Sequence, residues 1–152
     1  MQHVKLSRSP RAGNAVVETA LMAPWIFLLF LGVLDFGFYA YAAISTTQAA
    51  RVAALYTSSS PSTAADATTA CYYALQSLKD MPNMSGITAC ATQASAVTAT
   101  QPVAVTVSSN GGPDGAASTV SVTYQTVPLF PIPGLMGQIT ITRSAKMRTP
   151  QS

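Results

Sequence analysis

The feature that most constrains this chain is a long apolar stretch near its N-terminus. Sixteen uncharged residues occupy positions 19–34, and a second uncharged stretch follows Asp35, at positions 36–50. A helix that crosses a bilayer needs about 17–25 predominantly apolar residues. The first stretch reaches that length when it is extended across Glu18 or across Asp35. The sequence therefore predicts a single membrane-spanning helix.

Basic residues indicate the orientation of that helix. Lys5, Arg8 and Arg11 all precede the apolar stretch, and together they match the net charge of +3 of the whole chain. The positive-inside rule then places the N-terminus in the cytoplasm and the C-terminal part outside the inner membrane. The remainder of the chain is close to neutral, so it offers no basic face of the kind that binds nucleic acid.

The helix is predicted to continue beyond the membrane. Residues 40–56 are rich in alanine and contain neither glycine nor proline, and alanine is the best helix former. A polar cluster at residues 57–63, which includes Pro61, then ends the helix. Pro24 lies inside the helix and can kink it, because proline removes one backbone hydrogen bond. Neighbouring membrane helices can also absorb such a break without a kink.

A carboxylate lies near the start of the apolar stretch. Glu18 follows Gly13 by five residues. On insertion scales a charged side chain at the bilayer centre costs about 2.5–3.5 kcal/mol, so a carboxylate here suggests a function or a partner. The alternative is a carboxylate that is simply stabilised by the dipole at a helix N-terminus. Asp35 allows similar alternatives: an interfacial residue at the end of the span, or a partner for Arg51 or for another subunit.

The segment from Gly13 to Gly37 resembles the TadE-like pseudopilin family. The resemblance rests on a glycine, a Val-Glu pair, an Ala-Leu-x-x-Pro step, a leucine-rich stretch and a Gly-x-x-Asp-Phe-Gly end. In this chain these are Gly13, Val17, Glu18, Ala20, Leu21, Pro24, Gly32, Asp35, Phe36 and Gly37. The Ala-Arg-rich extension around Arg51 and, more loosely, residues 142–148 are also similar to the family. Thr19 departs from it, since an aromatic residue often follows the glutamate.

The resemblance implies a minor pilin-like subunit of the adhesive tight-adherence (Flp-type) pilus. A prepilin-type peptidase would cut after Gly13, and Asn14 would become the new N-terminus, with Glu18 paired to the amine of a neighbouring subunit. The implied parts are a cleaved leader at residues 1–13, an assembly helix at 14–57 and a head at 58–152. The implied partners are the peptidase, other pilins and pseudopilins, and the pilus platform of the inner membrane.

A secretory signal peptide is the competing interpretation of the N-terminus. Its apolar region would be residues 25–34, and its cleavage site would lie near residues 40–42. That leader is longer than the usual 15–30 residues, and bulky aromatic residues precede the cut. In that case the protein would be a secreted binding module, whereas an uncut leader would make it a membrane-anchored binding module unrelated to pili.

The rest of the chain predicts a small α+β head. Helical spacing of apolar residues predicts a short helix within residues 63–81. Residues 102–109, 118–127 and 138–147 alternate apolar with polar side chains, which predicts a roughly three-stranded antiparallel sheet. The first two strands would be joined by a turn at residues 110–115. The apolar, proline-rich residues 129–136 would form either a loop over the core or a contact surface for another pilin.

Two cysteines, Cys71 and Cys90, fall in the predicted head. In an oxidising compartment such an isolated pair predicts a disulfide. A zinc site would need more ligands than this, and the single histidine, His3, is in the leader. No pair of carboxylates and no nucleophile with a neighbouring base can be recognised, so we expect neither an enzyme nor a cofactor.

Overall fold

The computed structural model describes residues 11–112, 115–129 and 137–150. They form, in chain order, α1, α2, a one-turn 3-10 helix, and the strands β1, β2 and β3. Their bounds are Arg11–Thr57, Ala67–Leu78, Ala94–Ala96, Val103–Gly112, Gly115–Gln125 and Thr140–Arg148. The predicted α+β fold, with a long apolar N-terminal helix, is confirmed. Residues 1–10 of the predicted leader and residues 130–136 of the proline-rich segment lie outside the described residues.

Helix α1 is a single helix of 47 residues that contains Pro24. The chain forms two compact units, and their boundary, between Phe36 and Gly37, lies within α1. The second unit therefore contains the C-terminal part of α1 together with α2 and the sheet; we call this unit, from Gly37 onward, the head.

The sheet of the head is antiparallel, with strand order β1-β2-β3. Val105 pairs with Val122, and Tyr124 pairs with both Val103 and Ile141. These five side chains are all buried. The alternation seen in the sequence therefore gives the sheet one apolar face, as expected for strands covered on one side.

The core of the head combines this face with small side chains from both helices. Helix α2 contributes Ala70, Ala74 and Leu78 to the cluster. The C-terminal part of α1 contributes five buried alanines, which are Ala42, Ala49, Ala50, Ala53 and Ala54. A hydrogen bond between buried side chains, from Ser118 Oγ to Thr57 Oγ1 at 2.8 Å, also joins β2 to the end of α1.

Helix α2 lies within the predicted range of residues 63–81, and its N-cap decides where it begins. The Asp66 carboxylate accepts hydrogen bonds from the backbone N–H groups of Thr68 and Thr69, both at 3.1 Å. Bonds from the Thr69 side chain and then from its backbone N–H lower the pKa of Asp66. Thr63 belongs to the preceding turn, where its hydroxyl donates to the Ser60 carbonyl at 2.9 Å.

The loop expected between β1 and β2 is shorter than predicted. Both strands extend into the glycine-rich segment, so that Gly112 pairs with Gly115. The ladder continues there through Gly111 and Gly112, although glycine is disfavoured in strands.

The structure contains a disulfide between Cys71 and Cys90, with 6.0 Å between the two Cα atoms. It attaches α2 to the segment that leads into β1. A disulfide that closes a loop of this length stabilises a fold by roughly 3 kcal/mol in the chain-entropy account. That contribution matters in a head whose core is built largely from alanine and valine side chains.

Candidate processing site and assembly helix

The predicted cleavage site lies in the first turn of α1. The helix begins at Arg11, so the backbone of Gly13 and Asn14 is helical. Glu18 follows in the second turn with an exposed side chain. Glycine is about 1 kcal/mol less favourable than alanine in a helix, and the first turn of a helix also lacks partners for its backbone N–H groups, so two features weaken α1 at Gly13.

From Ala15 to Phe36 the side chains of α1 are mostly exposed. Leu31 is of intermediate exposure, and the other large apolar residues of this part are at least 43% exposed: Val16, Val17, Leu21, Met22, Trp25, Ile26, Phe27, Leu28, Leu29, Phe30, Val33, Leu34 and Phe36. The helix is long and apolar enough to cross a membrane. Apolar surface of this extent marks a membrane or protein contact.

Two glycines of the family pattern have no packing role within the described residues. A Cβ atom added at Gly32 or at Gly37 would meet no atom within 4 Å. Close approach inside the chain therefore does not explain why glycine occupies these positions. Small residues on a membrane helix allow a second helix to approach closely, which is a role that needs a partner.

Asp35 differs from the residues around it. Its side chain is only 6% exposed, whereas Leu34 and Phe36 are largely exposed. Its Oδ1 atom is buried and has no hydrogen-bond partner among the described residues. A buried carboxylate oxygen without a partner is costly, so this position is unusual among the described residues of the helix.

Arg51 lies in the half of α1 that belongs to the head. Its side chain is exposed, while Ala49, Ala50, Ala53 and Ala54 are buried. The alanine-rich extension thus has a packing role in the head that the sequence interpretation did not identify. The one sign of it in the sequence is that these alanines recur with helical spacing. Arg51 itself points away from this core.

The described residues contain no group of three or more metal-binding side chains. Tyr39 ties the beginning of the head to a later segment, since its hydroxyl donates to the Gly137 carbonyl at 2.9 Å. Most polar contacts of the described head residues are likewise between hydroxyls, amides and backbone groups, and the Asp66 carboxylate accepts from Tyr56 and from the start of α2.

The comparison with known families found a match that lies entirely within α1. Residues 13–55 match the family model described as TadE-like protein. The helix carries a TadE-like segment. This TadE-like segment begins at Gly13, includes Glu18, Asp35 and Arg51, and ends two residues before the end of α1. It indicates a protein related to the tight-adherence pilus. No curated protein and no solved structure matches the chain.

Proposed function

We propose that this protein is a minor pilin-like subunit needed to assemble an adhesive tight-adherence pilus. One observation carries the proposal: the TadE-like segment begins at Gly13, the residue that would precede the cut, and places Glu18 five positions later on an apolar helix. The protein would be held in the inner membrane by α1, with its N-terminus in the cytoplasm and its head outside.

The first step would be removal of the basic leader by a prepilin-type peptidase. Cleavage after Gly13 creates a new amine at Asn14, about one helical turn from Glu18. In a membrane the two charges are costly separately, and pairing across neighbouring subunits would offset much of that cost. Such a pair would also fix the axial position of one subunit against the next, as isolated polar residues do in helix assemblies.

The second step would be packing of α1 against other pilin helices. The exposed apolar surface and the open space beside Gly32 and Gly37 support this role. In this proposal the chain is the substrate of the peptidase and a structural subunit, and it performs no catalysis.

The decisive experiment measures the intact mass and the N-terminal residue of protein purified from its native membrane. Two variants sharpen it: Gly13→Val, which alters the residue before the cut, and Gly32→Val, which makes the same change where space is open. We expect wild-type protein and Gly32→Val to begin at Asn14, and Gly13→Val to begin at Met1.

Two other outcomes would contradict the proposal. An uncut Met1 terminus in wild-type protein, in cells with an active peptidase, would indicate a membrane-anchored binding module. A terminus near Ala43 would mean that the apolar helix is a secretory signal and that the head is a secreted binding module.

A further inference from the structure

The disulfide of the head lies at its surface. Cys71 and Cys90 are both half-buried, and both line a groove of about 670 Å³. The other walls of the groove are the first turns of α2, the neighbours of Cys90 and residues 105–107 of β1. A groove of this size admits a small dithiol, so a reductant can reach the two sulfur atoms while the head stays folded.

The disulfide holds a segment that has few other ties to the head. We call residues 85–101 the cover segment. Most of its side chains are exposed, and Ala91 is its one buried residue. The Ala91 N–H donates to the Val103 carbonyl at 2.8 Å, within a parallel bridge between Ala91 and Ala104. The bond to Cys71 is the one covalent link between the cover segment and α2.

The residues just before the cover segment are anchored in other ways. Met81 and Met84 are buried in the core of the head. The Asn83 side chain donates to the Gln125 carbonyl at 2.8 Å and accepts a hydrogen bond from the Tyr124 hydroxyl. This part of the loop therefore stays in place when the disulfide is cut.

The cover segment protects the first residues of the β1 edge. Strand β3, at the opposite edge, carries Arg143, Lys146 and Arg148, and charged side chains are a common protection of an exposed edge. Strand β1 contains neither a charge nor a proline. The Ala91–Ala104 bridge instead places the backbone of the cover segment along this edge. Pairing with another strand is thus blocked there by the segment that the disulfide holds.

We propose that the disulfide is a redox switch, which keeps the cover segment on β1 when oxidised and releases it when reduced by a dithiol. A thiolate of the dithiol attacks one cysteine sulfur, the S–S bond breaks, and the other cysteine leaves as a thiolate. The second thiol of the reductant then displaces the first cysteine from the mixed disulfide. Two electrons and two protons pass to the cysteines, and the dithiol becomes a disulfide.

Release is a local opening of the head. The cluster of buried core residues contains none from the cover segment; Ile87 and Cys90 only pack against it. The packing of α1, α2 and the sheet therefore persists after release, as in other segments that open independently of the global fold. This proposal does not depend on the pilin proposal.

The first test measures how fast dithiothreitol reduces the full chain in non-ionic micelles without denaturant, by alkylation of the thiols and mass spectrometry. A switch that reacts in the folded head should have the same reduction rate in wild type and in Leu78→Ala, which weakens the buried core. If reduction required global unfolding, Leu78→Ala would react about thirtyfold faster or more. That acceleration would overturn the proposal.

Hydrogen exchange with mass spectrometry locates the release. We expect reduction to remove the protection of residues 88–92, because the Ala91 N–H loses its bond to β1, while α2 and β2 keep their protection. Reoxidation should restore it. The double variant Cys71→Ser with Cys90→Ser should resemble the reduced protein without any reductant, which separates loss of the disulfide from other effects of dithiothreitol.

Two exchange results would also overturn the proposal. Unchanged protection of residues 88–92 in the reduced protein would mean that the cover segment stays on β1 without the disulfide. Loss of protection throughout α2 and the sheet would mean that the disulfide supports the whole head as a structural cross-link.

Discussion

The two halves of α1 differ in which apolar side chains are exposed and which are buried. Between Ala15 and Phe36 nearly all large apolar side chains are exposed, with Trp25 at 71% and Leu29 at 68%. From Gly37 to Thr57 the buried apolar side chains are mainly alanines, and Ala42, Ala49 and Ala53 are completely inaccessible to solvent. One continuous helix thus presents bulky surface in one unit and a narrow, closely packed face in the other.

This difference shows that side-chain size, as well as hydrophobicity, distinguishes the two roles. Alanine allows the helix backbone to approach the core of the head, where each buried side chain contacts several others. Leucine, phenylalanine and tryptophan expose far more apolar area, which only a membrane or a partner can remove from water. The first half therefore depends on surroundings outside the chain, while the alanine-rich face of the second half is covered within the head; Ile44 and Leu55, on its other side, are exposed.

The largest effect is expected when one leucine in each region is truncated to alanine. Leu78 is fully buried in the core of the head, whereas Leu29 is 68% exposed. Truncating a buried leucine to alanine costs about 2–5 kcal/mol, because it removes apolar contacts and leaves a cavity. We expect Leu78→Ala to lower the free energy of unfolding of the head by that amount, and Leu29→Ala to leave it unchanged.

Urea unfolding of the full chain in non-ionic micelles can separate the two regions. All six tyrosines lie in the head, and the single tryptophan, Trp25, lies in the exposed half of α1. Near-ultraviolet circular dichroism of the tyrosines therefore reports on the head, and tryptophan fluorescence reports on the membrane segment. An equal loss of head stability in both variants would contradict the comparison.

A smaller effect is expected from enlarging one alanine in each half of α1. Ala53 is completely buried, and Ala23 is exposed. Adding methylene groups to a packed core costs typically about 1–3 kcal/mol, since neighbours must leave their preferred rotamers. We expect Ala53→Leu to destabilise the head by that amount and Ala23→Leu to have no effect on it, in the same urea experiment. A neutral Ala53→Leu would mean that the helix face is loosely packed.

Much of the fold could be predicted because its signals are local. The length of the apolar stretch predicted α1, and alternation of valine with threonine or serine predicted β1 and β2. The ends were less accurate where side-chain contacts decide them. Helix α2 begins after Asp66 because this carboxylate bonds two backbone N–H groups, and Thr63, also a common N-cap residue, left the first residue open within the predicted range.

The site was predictable only in part, because its key features depend on neighbours in space. The spacing of Gly13 and Glu18 is visible in the sequence, and it remains a prediction until the N-terminus is measured. The burial of Asp35, in contrast, has no sign in the residues around it. Nor does the sequence show that β1 is an edge strand, because strand order is a property of the whole sheet.

The smallest expected effect concerns the pH dependence of the head. Tyr124 is fully buried, and its hydroxyl donates a hydrogen bond to the Asn83 side chain. Burial raises the pKa of Tyr124 to about 12, from an ordinary value of 10.0. The pKa of Tyr124 is thus higher in the folded than in the unfolded protein. Its contribution to the free energy of unfolding is therefore complete below pH 10 and is lost as the pH rises towards 12. We expect the urea midpoint to fall over that range, and Tyr124→Phe to reduce the fall. Tyr72→Phe, at a residue that is 57% exposed, should keep the wild-type profile. If the urea midpoint of Tyr124→Phe fell with pH as it does in the wild type, the buried hydroxyl would have to ionise without loss of the fold. The contrast between the buried core of the head and the exposed half of α1 would then be weaker than the structure indicates.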